Sequence, residues 1–120
     1  MIWEQVIKYH KNPPNSQMCR NKETQKQYDM WLKNVDNKTN LKNNLFKNNQ
    51  TWIITTNRFP YDFSDDTMCY VLWSKEYIDY DTTEQLITKY TDFKNYIYFT
   101  NKDNNKSIPD IYHTHIFVKS

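Results

Sequence analysis

Apolar positions near the start of the chain recur at intervals of three and four. Ile2, Trp3, Val6, Ile7 and His10 share one face at helical spacing. Pro13-Pro14 ends that helix, because proline lacks an amide hydrogen and clashes with the preceding turn. A second helix is predicted over about 17–35, with Tyr28, Trp31, Leu32 and Val35 on one stripe and Asn15 or Ser16 as its N-cap. The Asn- and Lys-rich stretch 36–40 reads as a turn. A short helix follows, with Leu41, Leu45 and Phe46 facing inward.

The pattern then shortens to that of strands. Residues 52–56 are β-branched and aromatic, which suits a pleated surface. Residues 57–62 interrupt the strand, since Pro60 cannot donate to a sheet ladder. Residues 68–73 show little polar alternation, which predicts a central strand. A helix is predicted over about 83–93, capped by Asp81 or Thr82, with Glu84 or Gln85 completing a capping box. Leu86, Ile87, Tyr90 and Phe93 form its buried face. Residues 96–100 and 111–118 are further strands, joined through a glycine-free turn at 101–105. The order predicts one α+β domain over 1–120. Residues 1–50 are mainly helical, and 51–120 form a mainly antiparallel sheet with one helix packed on it.

Composition bounds what such a domain can do. A length of 120 residues allows one core. The mean hydropathy of −1.01 resembles that of a disordered chain. An aromatic content of 17% and a net charge of +2 argue for a folded one. The same small charge disfavours a dedicated nucleic-acid surface. No run of about 18 apolar residues exists to span a membrane. The first eleven residues carry charge and no apolar stretch, so no secretory signal is expected and the expected location is cytoplasmic. Cys19 and Cys69 are then expected as free thiols in a reducing compartment. Sequons at Asn37, Asn49 and Asn105 are read as chance matches in a chain with 15 asparagines.

The chain has no glycine, and no alanine either. A strongly AT-biased genome accounts for both gaps and for the excess of Asn and Lys. Glycine-dependent phosphate loops, dinucleotide fingerprints and EF-hand loops are thereby excluded. Positions of positive φ are expected to fall to Asn or Asp.

Two segments concentrate chemistry. His113-Thr114-His115 places two imidazoles on one face of a strand, with Cβ atoms about 6–7 Å apart. Such a pair can grip a phosphate, combine a nucleophile with an assistant, or supply two metal ligands with Asp62 or Asp110 as a third. The plain alternative is a half-exposed sheet surface. Asn57-Arg58-Phe59-Pro60-Tyr61 places an amide, a guanidinium and a phenol at a strand end. Arg58 suits phosphate or carboxylate, whereas Phe59 and Tyr61 can equally be core anchors. The Phe59-Pro60 bond is a candidate for cis geometry. Trp73 and Lys75 close the next strand, with Trp73 more readily read as core than as a ligand stack.

The order of these blocks resembles the fungal N-acetylglucosamine-induced protein family, whose shared domain has no assigned function. Trp3-Glu4, then Arg20 with Tyr28 and Trp31, then Asn57 to Tyr61, Val71 to Lys75, and Tyr112 to His115 carry the resemblance. Arg58 and Tyr112 stand where that family has acidic residues. More remotely, Asn57 to Tyr61 and Ser107-Ile108-Pro109 followed by His113-Thr114-His115 are similar to the histidine-triad superfamily of nucleotide hydrolases and transferases. That likeness implies His113 as nucleophile on phosphorus and His115 as proton donor or phosphate clamp. The shifted alignment makes His115 the nucleophile. One histidine of the triad is absent in either register. Asn57, Arg58, Tyr61, Trp73, Lys75 and Ser107 are the candidate substrate contacts, with no metal and no cofactor expected. The expected partner is a nucleotide or sugar-phosphate ligand, with a homodimer as a second option. A non-catalytic module binding a phosphorylated ligand or a protein partner is the alternative function.

Overall fold

The computed structural model describes residues 1–16, 18–102 and 111–120. A short helix α1 (Trp3–Val6) runs into a 3-10 turn (Ile7–Tyr9), so the first predicted helix stops before Pro13. Helix α2 spans Lys22–Lys33 and α3 spans Val35–Leu45. Asn21 caps α2, its Oδ1 accepting from Thr24 N at 2.8 Å, in place of the expected Asn15 or Ser16. The expected turn at 36–40 is helical instead. Asn34 Oδ1 accepts from Asp36 N at 3.0 Å and starts α3 there. Polar amides thus act as a cap rather than as a loop. Leu41 and Leu45 are half-buried and Phe46 is buried, as their spacing predicts.

Strands β1 (Trp52–Thr56) and β2 (Met68–Ser74) precede helix α4 (Tyr80–Tyr90), and β3 (Asn95–Phe99) and β4 (Tyr112–Lys119) follow it. Asp79 caps α4, two or three residues before the expected Asp81 or Thr82, by accepting from Thr82 N at 2.8 Å. The sheet order is β1-β2-β4-β3, with every neighbouring pair antiparallel. The last strand therefore inserts between β2 and β3. This is the α+β architecture predicted from the element order.

Both faces of the sheet are covered, which explains the nearly unbroken apolar run of β2. On one face Leu72, Tyr98 and Ile116 pack with Ile87 of α4. Tyr90 departs from its expected burial at 56% exposure, although its ring lies 4.9 Å from that of Trp52. On the other face Cys69, Ile97, Phe99 and Phe117 pack with Val6, Met18 and Tyr61. Strand alternation assigns His113 and His115 to this second face, in line with Phe117.

The outer edge of β3 is closed by the N-terminal segment. Lys11 N donates to Tyr98 O at 2.8 Å, and Tyr98 N donates to His10 Nδ1 at 3.2 Å. Lys11 adopts φ 56° to do so, whereas Asn49, at φ 62°, meets the expectation for a glycine-free turn. No helix among the described residues is long and apolar enough to cross a membrane. Cys19 is exposed, Cys69 is buried and both are free thiols.

Candidate functional site

The segment before α2 and the loop after β1 clasp each other over the histidine face. Asp62 N donates to Cys19 O at 2.9 Å, and Arg20 Nε donates to Phe59 O at 2.7 Å. Asn57 fixes the loop in turn: its N–H donates to Cys69 O at 2.9 Å and its Oδ1 accepts from Phe59 N at 3.0 Å. This is an Asx turn, which explains an Asn at the strand end. No cis peptide occurs among the described residues, so Phe59-Pro60 is trans.

Beneath this clasp lies a cleft of about 90 Å³. Its floor is Val71, Trp73, His113 and His115 of the sheet, and its walls include Arg20, Tyr28, Trp31 and Phe59. That volume admits a few waters or one small polyatomic ion. The cleft brings together Asn57, Arg58, Trp73, His113 and His115 of the predicted set. Trp73 donates from Nε1 to Thr55 Oγ1 at 3.2 Å, and its ring lies 5.3 Å from that of His113.

Tyr61 and Lys75 do not line the cleft. Tyr61 lies under the site, 6% exposed, its ring 5.4 Å from His115 and 6.1 Å from Phe117. Burial raises its phenol above the ordinary value. Lys75 is exposed, with its ammonium 5.5 Å from the centre of the Phe46 ring. Ser107 and Asp110 lie outside the described residues. Among those described, no three His, Cys, Asp or Glu gather as a metal site. His10, the third histidine, serves the β3 edge instead.

His115 is 5% exposed. Its Nε2 lies 3.2 Å from the amide nitrogen of Asn101. With that nitrogen donating, Nε2 accepts and the neutral ring carries its proton on Nδ1. Nδ1 is buried and has no partner among the described residues. Burial, then the neighbouring His113, then Arg20 hold the imidazole well below its usual pKa, so it is neutral at pH 7. His113 is 8% exposed, and its Nδ1 lies 3.4 Å from Ile111 O. The two imidazoles meet edge to face at 5.4 Å.

Arg20 is the residue that motif reading left without a role of its own. Its guanidinium carbon lies 4.0 Å from the Tyr28 ring centre and 4.6 Å from that of Tyr61. The two phenol rings hold it by cation–π attraction. Among the described residues no carboxylate pairs with it, and its Nη donors have no hydrogen-bond acceptor. Arg58, in contrast, is exposed at the rim, 5.3 Å from the Phe59 ring centre. A held guanidinium at the wall of a small cleft is a donor suited to an anion.

Comparison with known proteins places the chain beside two others. A family described as "Protein of unknown function (DUF3605)" matches residues 37–94. No curated protein matches the chain. The crystal structure of HTC1 superposes with a TM-score of 0.71 at 18% identity, covering 99% of this chain and 85% of that one. At that identity the likeness is one of fold.

Proposed function

We propose that this protein binds a small phosphorylated ligand in the cleft. One observation carries the reading: the Arg20 guanidinium, whose Nη donors have no acceptor among the described residues, lines the same small cleft as the His113 and His115 rings. A phosphate oxygen accepting from those Nη donors would form charge-assisted hydrogen bonds. Arg20 supplies charge and hydrogen-bond donors, and Arg58 a second cation at the mouth. Thermal-shift and calorimetric titration with inorganic phosphate and phosphorylated metabolites tests it. Phosphorylated compounds should stabilise the protein, and Arg20→Met should weaken their binding about tenfold, which is 1.4 kcal/mol. Equal binding by Arg20→Met, or no stabilisation by any phosphorylated compound, overturns the reading.

A second reading is group transfer through His113, the chemistry implied by the histidine-triad likeness. It is favoured by the Ile111 carbonyl beside Nδ1, which sets the proton there and the lone pair on Nε2. Attack of that lone pair on phosphorus forms a P–N bond as a leaving oxygen departs. Burial holds His115 neutral, so it is not the proton donor of this reading. A leaving group that needs no protonation, such as a phosphate, is then required. A phosphohistidine seen by 31P-NMR or mass spectrometry after incubation with nucleotides would support transfer. No adduct with a bound nucleotide leaves the binding function alone.

A further inference from the structure

The closure at the outer edge of β3 is half backbone and half side chain. Tyr98 turns its N–H and C=O away from β4, because residues along an antiparallel strand bond alternately to either side. Its carbonyl accepts from Lys11 N at 2.8 Å, as in a regular ladder. Its N–H donates instead to a side chain, His10 Nδ1, at 3.2 Å. An imidazole nitrogen thus stands where a neighbouring strand would offer a carbonyl.

That replacement carries a chemical condition. A backbone carbonyl accepts at any pH, whereas a ring nitrogen accepts only through its lone pair. The closed edge therefore requires a neutral His10 with its proton on Nε2. Protonation of Nδ1 removes the lone pair and sets two N–H groups against each other. The hydrogen bond cannot survive it.

The surroundings set when this happens and how far it spreads. Burial and the Lys11 ammonium keep the ring neutral at pH 7, while the Glu84 carboxylate of α4 favours the imidazolium. From β3, the Tyr96 hydroxyl donates to Glu84 Oε1 at 2.6 Å. The Tyr98 hydroxyl faces Glu84 and Asp81, and both phenols stay uncharged through the acid range. Lys11 holds φ at 56°, a left-handed conformation unfavourable for a residue with a Cβ, so opening relieves strain. The segment stays tethered on both sides. Val6 is fully buried before it, and beyond it Lys102 Nζ donates to Asn15 Oδ1. Release is thus confined to the short span around His10 and Lys11.

We propose that His10 is a pH-operated latch on β3: the neutral ring closes the outer edge of the sheet by holding the Tyr98 amide, and the protonated ring releases it. An open edge is a template for pairing with another strand. Acid therefore uncovers a pairing edge that is shut at neutral pH. The latch acts on the sheet edge and requires no ligand in the cleft.

Amide hydrogen exchange of the full chain, read residue by residue by NMR from about pH 7.5 to about pH 4.5, tests this. The His10 Cε1–H signal follows the ring's own titration, and exchange is scored as protection relative to the intrinsic rate at each pH. Protection at Tyr98 should be full while the ring is neutral and fall about tenfold or more as it titrates. The Ile97 amide, which faces β4, should keep its protection through that step. His10→Asn should hold Tyr98 protected across the range, because its amide oxygen accepts and does not titrate. His10→Phe keeps a ring without an acceptor and should leave Tyr98 unprotected throughout, with Ile97 reporting an intact sheet. A Tyr98 amide that stays protected while His10 titrates overturns the proposal. So does loss at Tyr98 and Ile97 together, which is unfolding of the sheet rather than release of its edge. A His10 ring that does not titrate before the sheet unfolds, or a His10→Asn variant with the wild-type pH dependence, overturns it as well.

Discussion

The amide nitrogen of Asn101 meets His115 Nε2 at 3.2 Å across fourteen residues of chain, and so decides which ring nitrogen of the buried imidazole carries the proton. The folded state holds His115 neutral, with a pKa well below the usual 6.5. The unfolded chain therefore binds more protons as pH falls below about 6.5, and stability falls with pH there. His10, also lowered by burial and by Lys11, adds to the same slope. Urea melts between pH 7.5 and about 4.5 should show this loss. His115→Phe should reduce the slope, and the part that remains should belong to His10 and the carboxylates.

Arg20 joins the N-terminal segment to the loop after β1 through one charged hydrogen bond and two phenol rings. Arg20→Met should cost about 1–3 kcal/mol by chemical denaturation. Arg20→Lys should recover little, because an ammonium has neither the Nε donor nor a plane to lie between rings.

Leu72 is 1% exposed on the α4 face of β2. Leu72→Ala should cost about 2–5 kcal/mol. Met68→Ala, at 48% exposure on the same strand, should stay within about 0.5 kcal/mol. Equal effects in denaturation midpoints would show that the sheet is not packed on that face.

The two thiols should differ in reactivity. Burial pushes Cys69 up to about 11, while Cys19 is exposed. The thiolate is the reactive form. Alkylation at pH 8 followed by mass spectrometry should mark Cys19 in the folded protein and both cysteines in denaturant. Rapid labelling of Cys69 in the folded state would contradict its place beneath Tyr61.

Asn21→Ala should cost about 1 kcal/mol through loss of the α2 cap, whereas Ser16→Ala should be nearly neutral. Guanidinium melts of the two variants separate the observed cap from the one that spacing predicts. The error is instructive. Asn15, Ser16 and Asn21 are all capping residue types, and composition alone does not rank them. The extended path of residues 18–20, set by contacts with Phe59 and Asp62, delays the helix to Lys22. The polar run 36–40 misleads for a related reason. Its helix is started by Asn34 and anchored by Leu41 and Phe46, so a low density of apolar residues does not prevent it.

The sheet was legible because strand signals are local. β-branched runs, the break at Pro60 and the two-residue period of His113 and His115 all survive in the folded chain. The cleft was legible only in half. Asn57, Arg58, Trp73 and the histidines announce themselves by type and spacing. Arg20 enters the sequence reading only as part of a family block with Tyr28 and Trp31, and its place at the cleft depends also on Tyr61 and Phe59, about forty residues away. Asn101 is likewise one of many asparagines until folding sets it against His115. Partners across a sheet or a clasp leave no periodic trace.

Strand β4 carries two assignments on alternate residues: His113 and His115 to the cleft, Thr114 and Ile116 to the face under α4. Inserting or deleting one residue within it would exchange the two sets beyond that point. Imidazoles would meet the oily helix, and Ile116 would enter the polar cleft. Length variation inside this strand would thus damage stability and ligand recognition at once. Relatives of this chain should differ there by substitution alone, with gaps and insertions confined to the connections before and after it.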